Sequence, residues 1–262
     1  MRCAQCGVEL TAAERGRPRR YCSRSCQARA YRARKDGGGL NRRSTPRAER
    51  ARGELDRAAI VRSTIRIADA EGLAAVSMRA VAASNGVAAM ALYRHVSGKD
   101  ELVRAMVDAV VAEHRPADRD SGDWRAVLEH QARQEWALYQ RHPWVLAVLA
   151  STRPPLGGSV LAMVDRSMTA LAGHFDADTS LSVYLLVSGY VQGMALLLTA
   201  EDEAFRDSGV GYERWWSSRR DHLVGTAGVR YPWLAEVSSA ARLDDWFEFG
   251  LQRVLDGIGA RL

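Results

Sequence analysis

The sequence predicts an all-α protein with a small metal-binding module in front, and three observations carry that expectation. Apolar residues recur at helical spacing from Asp56 almost to the end, no stretch alternates convincingly as a strand does, and all four cysteines fall within the first 26 residues. The chain of 262 residues exceeds the usual single-domain size, and its 47% apolar composition is ample for a core. Four segments are expected: a four-cysteine zinc-binding module at 1–35, a basic flexible linker at 36–53, a three-helix unit with its following helix at 54–113, and a second helical unit at 114–262.

In the first segment Cys3 and Cys6 are separated by two residues and Cys22 and Cys26 by three. Each short pair chelates through a tight turn and the intervening loop closes the site, which suits tetrahedral Zn2+. Four thiolates leave no open coordination position, so the metal is expected to be structural, supplying roughly 10 kcal/mol or more of folding energy to a unit with too small a core. Residues 21–32 resemble the zinc knuckles and treble-clef modules whose second cysteine pair starts a helix. The alternative is a pair of disulfides or free thiols. The first ten residues carry no apolar leader, so a reducing, cytoplasmic compartment is expected, which works against disulfides.

Charge is unevenly placed. Residues 1–52 hold 15 basic and 4 acidic side chains, whereas the remainder is mildly acidic. An Arg-rich leading segment with Arg24, Arg29, Arg32, Arg34, Lys35, Arg42, Arg43 and Arg47 suits contact with a polyanion, nucleic acid above all. The triple glycine 37–39 and the scarcity of large apolar residues mark the linker.

From Asp56 the elements follow in order. Ile60, Thr64, Ile67 and Ala68 line one face of a first helix that Glu71-Gly72 stops. Ser77 is an N-cap for a short second helix, 78–84, with Val81 and Ala82 inward, and Asn85-Gly86 supplies a turn. A third short helix, 88–96, sets Leu92 and Val96 on one face, Ser97-Gly98 breaks it, and a longer amphipathic helix runs over 99–113. Two short helices joined by a glycine turn, with small residues where they cross, make a helix-turn-helix pattern near 77–96.

Ser77-Met78-Arg79-Ala80-Val81-Ala82, Asn85-Gly86-Val87, Ala91-Leu92-Tyr93-Arg94-His95-Val96 and Lys99-Asp100-Glu101-Leu102 resemble the tetracycline-repressor (TetR) family over about 55–113. The resemblance implies a homodimer that binds palindromic double-stranded operator DNA, usually as a repressor released by a small-molecule effector. By position it implies that Ser77 and Arg79 open the second helix, with Arg79 reaching a base edge. Ala89, Met90, Ala91 and Arg94 match the groove-facing positions, and Tyr93, His95 and Lys99 the phosphate-contacting set. Arg bonds guanine bidentately whereas Ala and Met offer only apolar contact, so base reading is expected chiefly from Arg79 and Arg94. Asn85 departs from the family's usual Leu, and Ala88-Ala89-Met90 lacks the polar residues often found there.

Beyond 116, helices are expected near 123–140, 143–150, 160–175, 179–199, 212–223 and 244–258, with loops at 201–211 and 225–243. Residues 181–198 carry no formal charge and reach the length of a membrane span, yet small and polar residues and the lack of a basic flank favour a buried helix of a soluble protein. The family likeness, looser here, implies that this helix pairs with the last one in a four-helix dimer interface. Trp136, Tyr139, Trp144, Met163, Met168, Phe175, Tyr190 and Met194 offer surface for an apolar effector, although each is individually more ordinary as core. No nucleophile elbow, phosphate loop or paired metal-ligand helix is found, so an enzyme is not expected. The competing reading is a zinc-dependent nucleic-acid or protein adaptor without effector response.

Overall fold

The computed structural model describes residues 2–10, 20–37, 56–113, 123–238 and 242–261, and of residues 31–37 the backbone alone. They fall into two compact units, Met1–Glu54 and Leu55–Leu262. In the first, an isolated antiparallel bridge between Arg2 and Glu9 closes a turn over Cys3 and Cys6, and helix α1 (Arg24–Gly37) begins beside the second cysteine pair. α1 takes in the first two residues expected of the linker. The rest of that linker, with Arg42, Arg43 and Arg47, lies outside the described residues.

The second unit begins with α2 (Arg57–Glu71), whose first turn is capped by the Asp56 carboxylate accepting the Ala59 N–H. It stops at Gly72, where φ is 80°, a backbone state that favours glycine. A 3-10 turn, Leu73–Ala75, leads to α3 (Met78–Ser84), capped as expected by Ser77 Oγ accepting the Ala80 N–H at 3.2 Å. The next helix is shorter than the expected 88–96. α4 spans Ala89–Leu92, and the chain then continues as a hydrogen-bonded turn in which His95 and Val96 both donate to Leu92 O. Sharing one carbonyl between two N–H groups is how a helix end tightens, and here it turns Val96 inward beside Leu92 before α5 (Lys99–Ala112) starts.

α6 (Trp124–Arg141), α7 (Trp144–Leu149), α8 (Gly158–Leu171), α9 (Ala177–Ser208), α10 (Tyr212–Ala227), α11 (Trp233–Glu236) and α12 (Leu243–Gly259) complete the unit. Three sequence expectations need correction. The stretch 201–211 is mostly helix, because nothing between Thr199 and Ser208 breaks one, and α9 ends only at Gly209 in the left-handed region with φ of 66°. The helix expected over 160–175 begins earlier and ends at Leu171. Within 225–243, α10 runs on to Ala227 and Pro232 opens the single turn of α11.

α6 is the axis of the core. Its buried residues Leu128, Ala132, Trp136, Leu138 and Tyr139 face α9, α8, α12 and α7. Trp136 stacks on Phe247 of α12 with ring centroids 4.7 Å apart and planes 8° from parallel. Large side chains of this kind each contribute about 1.5–3 kcal/mol by leaving water. α9 and α12 approach most closely at Gly250, where an added Cβ would stand 2.2 Å from the Tyr190 hydroxyl. That hydroxyl donates to the backbone carbonyls of Phe247 at 2.9 Å and Trp246 at 3.1 Å. Gly250→Ala is therefore expected to lower stability in urea unfolding by about 1–3 kcal/mol despite alanine's better helix propensity, and Tyr190→Phe in the same chain returns part of the loss.

Candidate functional site

The helix-turn-helix presents a face whose back is apolar. Leu92 is fully buried and Val96 is 2% exposed, both set against Ile60, Val81, Ala82, Leu102 and Met106. In front, Met90 is 75% exposed and Tyr93 48%, so Tyr93 is not a core residue. Ser77, Arg79, Arg94 and Lys99 are exposed, and Ala89, Ala91 and His95 are half-buried. All nine sequence candidates thus lie on α3, α4, the turn after it and the start of α5. Among the described residues the Lys99 ammonium donates to the Leu73 carbonyl, at 3.5 Å.

Polar contacts around Asn85, Gly86 and Glu101 hold this face. Asn85, where the family usually has Leu, donates to Ser63 Oγ and to Val81 O, each at 2.7 Å, so the departure is satisfied by a buried serine on α2. Gly86, at φ 66°, then lets the Val87 N–H return to Ala82 O. Glu101 reaches back to accept the Ser97 N–H at 2.6 Å and pairs with Arg57 of α2 at 2.9 Å. The Ser97 backbone N–H, foremost, with Arg57 assisting, holds the Glu101 carboxyl down at about 2.

Two further carboxylates join these helices to those that follow. Asp69 Oδ1 on α2 accepts from Trp144 Nε1 at 2.8 Å and meets His142 Nδ1 at 2.7 Å. Asp108 Oδ1 on α5 accepts the Ser159 N–H at the start of α8 at 2.7 Å, and Gly157 leaves room for it.

In the first unit the sulfur atoms of Cys3, Cys6, Cys22 and Cys26 all lie within 4.8 Å of one another, a cluster able to hold a metal ion. Gly7 at φ 76° gives its N–H to Cys3 O and turns the first pair, while Ser23 Oγ accepts the Cys26 N–H and sets the second at the start of α1. The Cys22 N–H points at Cys3 Sγ from 3.3 Å. Backbone N–H groups, that of Gln5 foremost, bring the Cys3 thiol down to about 6, whereas sharing its proton with Cys6 and Cys26 pushes Cys22 up to about 12. Arg24 and Arg29 are exposed on α1.

The eight expected effector-site residues are distributed more widely. Trp136, Tyr139, Trp144 and Met163 are buried, and Trp144 is engaged at the Asp69 joint. Phe175, Tyr190 and Met194 pack at the edge of the core, and Met168 lines an open groove of about 460 Å³ along α8. Sequence reasoning passed over Glu135, which is 2% exposed among these groups. On the outside of α9, Leu181, Leu185, Leu186, Leu196 and Leu197 are exposed, as are Trp246 and Phe249 on α12. Gly189 and Gly193 have open space where a Cβ would stand. By length and composition α9 passes for a membrane span, although its inner face packs on α6, α8 and α12.

The sequence profile of bacterial regulatory proteins of the tetR family matches residues 60–106, and that of the tetracyclin repressor-like C-terminal domain matches residues 115–262. The HTH-type transcriptional repressor DrrR1 of Streptomyces coeruleorubidus is 42% identical over 209 residues, 78% of this chain and 76% of that one. An HTH-type transcriptional regulator of Saccharopolyspora erythraea is 35% identical over 77% of this chain and 83% of its own length. Among solved structures, the TetR family protein ActR of Streptomyces coelicolor in complex with actinorhodin superposes with a TM-score of 0.66 at 25% identity, covering 79% of this chain and 97% of that one.

Glu101→Gln is expected to loosen the start of α5 and lower the thermal midpoint at neutral pH. In the wild type the contribution of Glu101 is complete above the ordinary carboxylate range and fades as pH falls from about 4.5 toward about 2, a decline that the variant's midpoint-against-pH curve lacks.

Proposed function

The chain belongs to the tetR family of bacterial regulatory proteins, a DNA-binding transcription regulator rather than an enzyme, and we propose that it works in the cytoplasm as a homodimeric repressor on a palindromic operator. The observation that carries this reading is the two-sided build of α4 and the turn after it: Leu92 and Val96 anchor the segment from behind while Met90, Tyr93 and Arg94 stand in front. That segment enters the major groove. Arg79 and Arg94 read base edges, and Tyr93, His95 and Lys99 hold phosphates.

The exposed leucines of α9 and the aromatics of α12 form an apolar face that a second copy covers, four helices in all. Gly189 and Gly193 let the partner's backbone come close. This accounts for the apolar outer side of α9 without a membrane. Effector binding falls to the core around α6, α8 and α9.

The cysteine cluster fits Zn2+. A tetrahedral ion with bonds of about 2.3 Å holds its sulfurs roughly 3.8 Å apart, and Cys6 and Cys26 already stand 3.4 and 3.5 Å from Cys22. When bound, the metal supplies folding energy alone, because Cys3, Cys6, Cys22 and Cys26 fill its coordination. Arg24 and Arg29 of α1 then face phosphates outside the main half-site.

Selecting bound sequences from random duplex DNA, with the full chain and with residues 1–50 deleted, tests these parts together. The full chain is expected to return an inverted repeat, and the deletion to keep the half-site while weakening binding and flattening its salt dependence. Arg79→Ala should cost about 1–3 kcal/mol and relax one position, whereas Lys99→Ala should weaken all sequences alike and reduce the salt slope by about one. No preference over scrambled competitor would sink the reading. For the dimer, Leu185→Glu with Leu197→Glu is expected to sediment as a monomer.

A further inference from the structure

Glu135 sits in the middle of α6, 2% exposed, with no ion-pair partner among the described residues. Side chains from three helices converge on it. Gln131 Nε2 of α6 donates to its Oε1 at 3.3 Å, and Ser188 Oγ of α9 donates to its Oε2 at 3.0 Å. Ser188 in turn accepts from Gln192 Nε2 at 3.3 Å, and Ser167 of α8 donates to the Gln131 side-chain oxygen. One turn along α6, the Tyr139 hydroxyl is buried and has no hydrogen-bond partner among the described residues.

Among the described residues this cluster is one partner short when Glu135 is ionised. As an anion it lacks a counter-charge, since the buried histidine among the described residues, His142, belongs to the Asp69 joint. As a neutral acid it can place its O–H on Ser188 Oγ, a hydroxyl that must then turn its own proton elsewhere. Burial pushes the carboxyl well above the ordinary range, so the empty protein carries the proton. Groups buried at such cost are stable in an apolar core only when fully satisfied. To be held ionised in this place the carboxyl needs a positively charged hydrogen-bond donor. Once ionised, the same carboxyl repels a phosphate or carboxylate.

We propose that Glu135 and the Tyr139 hydroxyl are the polar recognition point of the effector site, and that the ligand it takes is a lipophilic amine, its ammonium group against Glu135 and its apolar body among the side chains of α6, α8 and α9. The proposal rests on the reading of this domain as an effector sensor. An ammonium donating to Glu135 replaces the Ser188 contact that now ties α6 to α9 and the contact from Gln131, the residue to which Ser167 of α8 donates. Met163, four residues before Ser167 on the same face of α8, is unbranched and repacks readily around an incoming group.

Three probes of one shape and different charge test this: 1-naphthylmethylamine, 1-naphthalenemethanol and 1-naphthoate, titrated calorimetrically against the full-length protein. The amine is expected to bind at least tenfold more tightly than the alcohol, with naphthoate binding weakest. Glu135→Gln should bring the amine down to the level of the alcohol while leaving the circular dichroism and thermal midpoint near wild type, and Tyr139→Phe should weaken amine binding several-fold. Should Glu135→Gln fail to fold, Ser188→Ala, which frees the carboxyl, is expected to strengthen amine binding. Equal affinity for the anion, an unchanged Glu135→Gln variant, or binding of none of the three would overturn the proposal. Release from the selected operator by an uncharged compound, equally in wild type and Glu135→Gln, would leave the sensor reading standing and overturn the amine.

Discussion

The second unit is organised by a single constraint: α6 must bury nearly its whole inward surface against four other helices at once. Leu128, Ala132, Trp136 and Tyr139 recur every three or four residues, and the helix meets α12 through the Trp136–Phe247 stack and packs on α9, α8 and α7 as well. A helix with that many partners cannot shift alone, because close-packed side chains have discrete arrangements rather than a continuum. Its polar centre at Glu135 ties α6 to the same neighbours through directional bonds, so the apolar and the polar packing agree on one geometry. Occupying that centre has to disturb both.

The helix-turn-helix depends on the same body for its orientation. α2 and α5 pack against each other, and each sends one carboxylate backward: Asp69 to His142 and Trp144 after α6, Asp108 to the first turn of α8. These are hydrogen bonds between partners largely shielded from water, His142 and Trp144 buried among them, and they fix direction better than apolar contact does. The α4 face inherits its position from α2 and α5, since Leu92 and Val96 lie in the core those helices share.

Much of this was legible in the sequence for plain reasons. Caps and stops carry local signals, and Ser77, Asn85-Gly86, Gly72 and Gly98 delimited α3, the turn, α2 and α5. The cysteine spacing placed the sulfur cluster. What escaped were features decided by tertiary contact. Asn85 departs from the family's usual Leu, and only the tertiary contact with Ser63 of α2 accounts for it. Residues 201–208 read as a loop because they are acidic and polar, yet an exposed helix end tolerates any soluble side chain that lacks a breaker. The aromatic and methionine residues suggested a ligand wall by type alone, and the structure puts several of them to other uses, Trp144 at the Asp69 joint and Tyr190 against Gly250. A signal for Glu135 was present: it interrupts an otherwise apolar stripe of Leu128, Ala132, Leu138 and Tyr139, and an acid on an inward stripe asks for an explanation.

Asp69 and Asp108 act on the two helices that carry α4 like two pins through a plate. A plate pinned twice resists sliding and resists turning in its own plane, and its remaining easy freedom is a swing about the line through the pins. In a symmetric pair of such plates a swing opens or closes the gap between the two outer edges, while a small twist of either one is opposed. The span between paired α4 segments is then the quantity to which this architecture is mechanically soft.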